Sequence, residues 1–141
     1  MNGARPDASR WQGRTVVVTG GSGFLGKPTV ALLEDLGADV RIVRSSDHDL
    51  TDSEATRTAV TGADVVFHLA ANVGGIGYNR NNPAPLIYEN LMMGANVFEA
   101  SRAAGVRKLV AACSVCASAA DWSVSTVSSS MNAPSPSTRS R

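Results

Sequence analysis

An α/β fold, a parallel sheet wound with helices on both faces, is what this sequence predicts, and three observations carry the prediction. An uninterrupted β-branched run, Thr15-Val16-Val17-Val18-Thr19, breaks into glycines at positions 20, 23 and 26. Strand-like and helix-like apolar patterns then alternate to about residue 112, the order that builds a parallel sheet through crossover helices. The 141 residues allow one domain with a core and are too few for two of ordinary size. The expected architecture is therefore a Rossmann-like doubly wound sheet, truncated, with a disordered carboxy-terminal tail.

Taken in order, residues 1–13 carry Pro6, small residues and scattered charge and read as a flexible leader, with Trp11 packing on the domain edge. The folded domain is expected over residues 14–117. Its first strand, 15–19, has no polar alternation, the mark of burial on both faces. The glycines that follow have a physical purpose. Gly20, Gly23 and Gly26 permit a tight turn, close approach of backbone to a pyrophosphate, and close packing of the next helix on the strand. The start of that helix offers unpaired N–H groups and the positive end of its dipole. The spacing is G-x-x-G-x-x-G, which points to short-chain dehydrogenase/reductase types.

The helix is expected over 24–36, with Val30, Leu32, Leu33 and Leu36 on its apolar side and Gly37 as its stop. Pro28 falls in the first turn, where its missing N–H costs nothing. A second strand over 39–44 ends on Arg44. An acidic side chain there would accept hydrogen bonds from both ribose hydroxyls of NAD, whereas a guanidinium suits a 2′-phosphate, so Arg44 favours NADP(H) over NAD. The plainer reading of Arg44 is a solvated charge at a strand end. His48-Asp49-Leu50 reads as a short third strand. Thr51-Asp52-Ser53-Glu54 has the spacing of a capping box and opens a helix ending near Gly62.

The strand over 64–69 runs into a small-residue loop, Ala70-Ala71-Asn72-Val73-Gly74-Gly75-Ile76-Gly77, at the sheet edge where α/β proteins bind ligands. His68 reads as a packed strand residue rather than a base. Pro83 and Pro85 precede a long helix over 86–104 closed by Gly105, and a strand over 108–112 completes the pattern. Residues 118–141 hold nine serines and two prolines with almost no apolar periodicity, a composition that does not offset the entropy of ordering the chain.

Composition excludes several classes. With 43% hydrophobic and 18% charged residues and a net charge of +1, the chain reads as a soluble globular protein with no field for nucleic acid or an anionic membrane. Residues 1–14 lack the apolar stretch of a secretory signal, and a cytoplasmic location is expected. Cys113 and Cys116 form a C-x-x-C, but with no second cysteine pair and two histidines elsewhere no metal site is expected. Two small residues at a strand end, not a disulfide, is the reading for the cytoplasm.

The segments Thr19-Gly20-Gly21-Ser22-Gly23-Phe24-Leu25-Gly26, His68-Leu69-Ala70-Ala71-Asn72-Val73-Gly74-Gly75-Ile76-Gly77 and Ile87-Tyr88-Glu89-Asn90-Leu91-Met92 together resemble the extended short-chain dehydrogenase/reductases. Within them the chain is most similar to the GDP-L-fucose synthase group, over about residues 14–117. The resemblance implies NADPH-dependent 3,5-epimerisation and 4-reduction of a GDP-linked 4-keto-6-deoxy-mannose. It implies that Gly20, Gly23 and Gly26, with Phe24 and Leu25 between them, hold the pyrophosphate, that Arg44 meets the 2′-phosphate and that Asp49 and Leu50 border the adenine. Leu69, Ala70 and Ala71 belong to the same cofactor site. Ser114 falls on the group's catalytic serine. Cys116 falls on its epimerisation cysteine, a proton donor and acceptor beside the sugar ring.

The sequence also departs from that group. Tyr78 is followed at the fourth position by Asn82, and Tyr88 by Met92, so no Y-x-x-x-K is present, and Ser118 stands where the group has a tyrosine. A frameshift or truncated gene is the expectation this raises, with poor cofactor binding and little or no turnover. The alternatives are a GDP-mannose 3,5-epimerase-like enzyme that uses NAD, against which Arg44 argues, and a non-catalytic dinucleotide-binding fragment. An apolar edge is expected at residues 108–112 and on the helix faces beside it, with self-association as a homodimer or aggregate.

Overall fold

Alternating strands and helices run through the chain as β1 (Thr15–Thr19), α1 (Gly26–Asp35), β2 (Asp39–Val43), α2 (Ser53–Val60), β3 (Val65–His68), α3 (Ile76–Asn81), α4 (Pro83–Ala103) and β4 (Lys108–Ala111). The computed structural model describes residues 6–112. The sheet order is β2-β1-β3-β4 with every pairing parallel. The chain therefore travels to one side of β1 first and to the other side afterwards, and β1 and β3 flank the point of reversal.

β1 lacks polar alternation because both of its faces are covered. Val16 and Val18 pack with Val30 and Leu33 of α1, and Val17 packs on the opposite face with Val60, Val66 and Val97 from α2, β3 and α4. All three valines of β1 are fully buried. Burying such a side chain contributes about 1.5–3 kcal/mol, so this strand anchors both cores. Ahead of it, the segment at Ala8–Arg10 forms a 3-10 turn capped by Asp7. Trp11 then lies against Phe67, ring centroids 6.1 Å apart, and Gly13 N–H donates to the carbonyl of Gly37.

Several boundaries differ from the sequence expectation, each for a local reason. α1 begins at Gly26 rather than residue 24 because residues 21–25 stay in the turn, where Gly23 N–H donates to the Gly20 carbonyl at 2.9 Å. No strand forms at 48–50. Instead Asp47 and His48 N–H groups both bond the Arg44 carbonyl. The Asp49 carboxylate accepts from the Thr51 N–H and hydroxyl, and such local side-chain bonds compete with strand pairing. The cap of α2 is Asp52, which accepts from Ala55 N–H at 2.7 Å. Thr51, the expected cap, is engaged with Asp49. α4 begins at Pro83 because its prolines occupy the first turn.

α3 was not expected, since its six residues carry no buried side chain and hence no apolar period. The strand expected over 108–112 is present over Lys108–Ala111, with Leu109 and Ala111 buried and Val110 half-buried. Exposed apolar side chains also lie on α4, at Ile87, Tyr88, Leu91 and Phe98.

Candidate functional site

The turn that leaves β1 is pressed against the loop that leaves β3, and that closeness defines the site. Gly20 has φ +70°, and a Cβ there would stand 2.7 Å from the Ala70 backbone nitrogen. A Cβ on Gly26 would fall 2.1 Å from the Gly20 carbonyl oxygen, so α1 can start over the turn only as glycine. At Gly23 an added Cβ would meet just the Gly20 carbonyl, at 3.2 Å. Its other side is open.

Thr19 and His68, paired across β1 and β3, tie the two strand ends together beneath this turn. The Thr19 hydroxyl oxygen lies 2.8 Å from His68 Nδ1 and accepts from Ala70 N–H at 3.3 Å. The hydroxyl has a second lone pair as well as its proton, so the direction of its bond with Nδ1 follows the tautomer of the imidazole. Burial pushes the His68 pKa down to about 4. His68 is therefore a neutral, packed strand residue, as its position in the apolar run suggested.

Above these residues opens a groove of about 800 Å³ at the carboxyl ends of β1, β2 and β3, the edge at which open α/β sheets bind ligands. Gly20, Gly23, Phe24, Leu25, Gly26, Arg44, Asp49, Leu50, Leu69, Ala70 and Ala71 all line it. Phe24, 94% exposed, forms the rim, while Leu50 is buried and reaches the groove from the core. Arg44 lies just past the last paired residue of β2. It is the one Lys or Arg lining the groove among the described residues, and its side chain makes no ion pair there. The Thr51 hydroxyl, and then its N–H, hold the Asp49 carboxyl below its ordinary range.

The groove also includes residues outside the expected cofactor set: Ser22, Ser45, Ser46, His48, Asn72, Val73, Glu89 and Met93. Asn90 clamps the loop after β3, its side chain accepting from Asn72 N–H at 2.7 Å and donating to the Asn72 carbonyl at 2.8 Å. Glu89 accepts from the Asn72 amide. Their signal was the one-turn spacing of Glu89 and Met93 on α4. The loop gave no reason to pair it with that helix.

Ser114, Cys113, Cys116 and residues 118–141 lie outside the described residues. Ala112 N–H donates to the His68 carbonyl, so the chain leaves β4 at the groove's end of the sheet. Among the described residues no group of His, Cys, Asp or Glu could hold a metal ion, and no helix is long and apolar enough to cross a membrane.

This geometry can be set beside known proteins. The model of the NAD dependent epimerase/dehydratase family matches residues 16–139. The chain is 34% identical over 108 residues to a probable GDP-L-fucose synthase of Drosophila melanogaster, covering 73% of this chain and 34% of that protein. It is 38% identical over 108 residues to a GDP-L-fucose synthase of Dictyostelium discoideum, with the same coverage. Its structure is similar to that of a GDP-mannoheptose C4 reductase from Campylobacter jejuni with NADP bound, at TM-score 0.67 and 28% identity, over 72% of this chain and 33% of the other. The chain spans about a third of the length of the curated relatives it matches.

Proposed function

The chain belongs to the NAD dependent epimerase/dehydratase family, and from that premise we propose that it forms the dinucleotide-binding part of an NADP(H)-dependent GDP-sugar epimerase/reductase. The observation that carries the choice of cofactor is Arg44, a groove-lining guanidinium with no ion pair among the described residues. A fork of N–H donors at the end of the second strand meets a 2′-phosphate, where NAD would be served by a carboxylate.

The groove suits the diphosphate as well. The open side of Gly23 lets backbone come close to phosphate oxygens, and the start of α1 faces them. Asp49 and Leu50 border the adenine, and Leu69, Ala70 and Ala71 line the path toward the nicotinamide. The cofactor supplies hydride to C4 of the sugar when bound. Ser114 and Cys116 are assigned by family pattern: Ser114 as a hydrogen-bond donor to the sugar carbonyl, Cys116 as the acid and base that removes and returns a proton at the carbon beside it. Neither Tyr78 nor Tyr88 has a lysine at the fourth following position. Neither tyrosine therefore has the lysine partner that the family pattern supplies, and these 141 residues are expected to bind cofactor poorly and to turn over little or nothing.

Fluorescence titration with NADPH and NADH tests the cofactor assignment. NADPH should bind more tightly, and Arg44→Ala should weaken NADPH by about 10- to 100-fold, the value of one or two charge-assisted hydrogen bonds, while leaving NADH nearly unchanged. Tighter binding of NADH, or an unchanged NADPH affinity in Arg44→Ala, removes Arg44 from the site. Conversion of a GDP-4-keto-6-deoxy sugar by this chain with NADPH would refute the expected lack of turnover.

A further inference from the structure

We propose that a second anion site, for ligands carrying linked phosphates, lies at the amino ends of the strands, across the sheet from the dinucleotide groove. The cleft encloses about 680 Å³ and is lined by Arg10, Trp11, Arg14, Asp64, Arg107 and Lys108 among others. Strand register brings these residues together. Asp64 N–H donates to the Thr15 carbonyl at 2.9 Å, and Arg107 N–H donates to the Asp64 carbonyl at 3.0 Å. The residues that precede β1, β3 and β4 therefore stand side by side, and Arg14 and Arg107 flank Asp64 in one row.

The charge in this cleft is unbalanced. Four cations line it against two carboxylates, Asp7 and Asp64, while the whole chain carries a net +1. Both carboxylates are already engaged. Asp64 accepts from Arg14 Nη1 at 3.3 Å and from Thr15 N–H at 3.1 Å, and Asp7 accepts from the N–H and hydroxyl of Ser9. Among the described residues the side chains of Arg10, Arg107 and Lys108 form no hydrogen bond or ion pair. With Arg14 paired to Asp64 and Arg10 in the field of Asp7, the excess charge of the concave surface rests on Arg107 and Lys108 and raises the local concentration of anions. Guanidinium groups favour phosphate oxygens through paired N–H donors.

Several cations spread over this volume match an oligophosphate better than a single carboxylate. Trp11, held on its far side by Phe67, adds an apolar wall against which a base could lie. An inorganic oligophosphate and a nucleoside triphosphate share the chemistry recognised.

Isothermal titration of the full chain at low ionic strength tests this, in an Arg44→Glu background that removes the cation of the other groove. Sodium tripolyphosphate and ATP are the two probes. Saturable one-to-one binding of tripolyphosphate is expected. Arg107→Glu with Lys108→Glu should weaken it by about tenfold or more. Arg10→Gln, outside the sheet and harmless to its pairing, should weaken it by about threefold or more. ATP tighter than tripolyphosphate, with the gain lost in Trp11→Ala, would support a nucleotide resting on Trp11, and equal affinities would support recognition of the phosphates alone. Absence of saturable tripolyphosphate binding overturns the proposal, as does an affinity unchanged in both sets of variants. The proposal stands or falls independently of NADPH binding, which uses the opposite end of the sheet.

Discussion

Lowering the pH from 7 to 5 should cost this fold about 2 kcal/mol through His68 alone. Burial holds its pKa at about 4 in the folded protein, against 6.5 when exposed. In the unfolded chain His68 gains its proton below pH 6.5, whereas in the folded chain it stays neutral until about pH 4. Between those values the unfolded state binds more protons, so stability rises with pH and is lost as pH falls. At 1.36 kcal/mol per pKa unit, the whole window is worth about 3 kcal/mol, with roughly 2 kcal/mol gone by pH 5. For a domain stabilised by about 5–15 kcal/mol, that is a large fraction. The measurement is urea denaturation of the full chain and of His68→Gln, each at pH 7 and pH 5, followed by circular dichroism. The parent protein should lose about 2 kcal/mol more than the variant over this interval. The carboxylates whose pKa values are lowered, Asp7, Asp49 and Glu99, lose their effect in a more acid range and are common to both proteins. Equal losses in the two proteins, or an NMR titration that places His68 near 6.5, would refute the reasoning.

Gly26→Ala should lower stability by about 3 kcal/mol or more and abolish dinucleotide binding, because its Cβ would lie 2.1 Å from a backbone oxygen that cannot retreat without moving the turn; thermal melts and NADPH titration read both effects. Gly94→Ala should act in the opposite sense. A Cβ there meets nothing within 4 Å, and replacing a glycine inside a long helix should stabilise by about 0.5–1 kcal/mol, seen as a raised urea midpoint with an unchanged slope.

The fold class, the two-sided core and the outline of the groove were legible in residues close together along the chain. A run of three valines between threonines has one economical solution, a central strand buried on both faces. A glycine turn after such a strand and before a helix then places the groove at its carboxyl end. Each of these readings rests on neighbours along the chain, whose geometry is set by local sterics and by the periods of helix and strand. Arg44 was legible for the same reason, as the residue immediately past the second strand.

What tertiary structure alone decided are relations between residues far apart in sequence. Gly20 is glycine not only for its positive φ but because the Ala70 backbone stands where a Cβ would be. Asp49 turns back onto Thr51 and ends the possibility of a strand there, a competition among hydrogen bonds that composition does not rank. Asn90 clamps Asn72 across 18 residues, and Arg14, Asp64 and Arg107 meet only because parallel register aligns the starts of three strands. No periodicity records such meetings. They follow from the order of the strands across the sheet, which places the end of each crossover beside the start of another and is settled when the whole core closes.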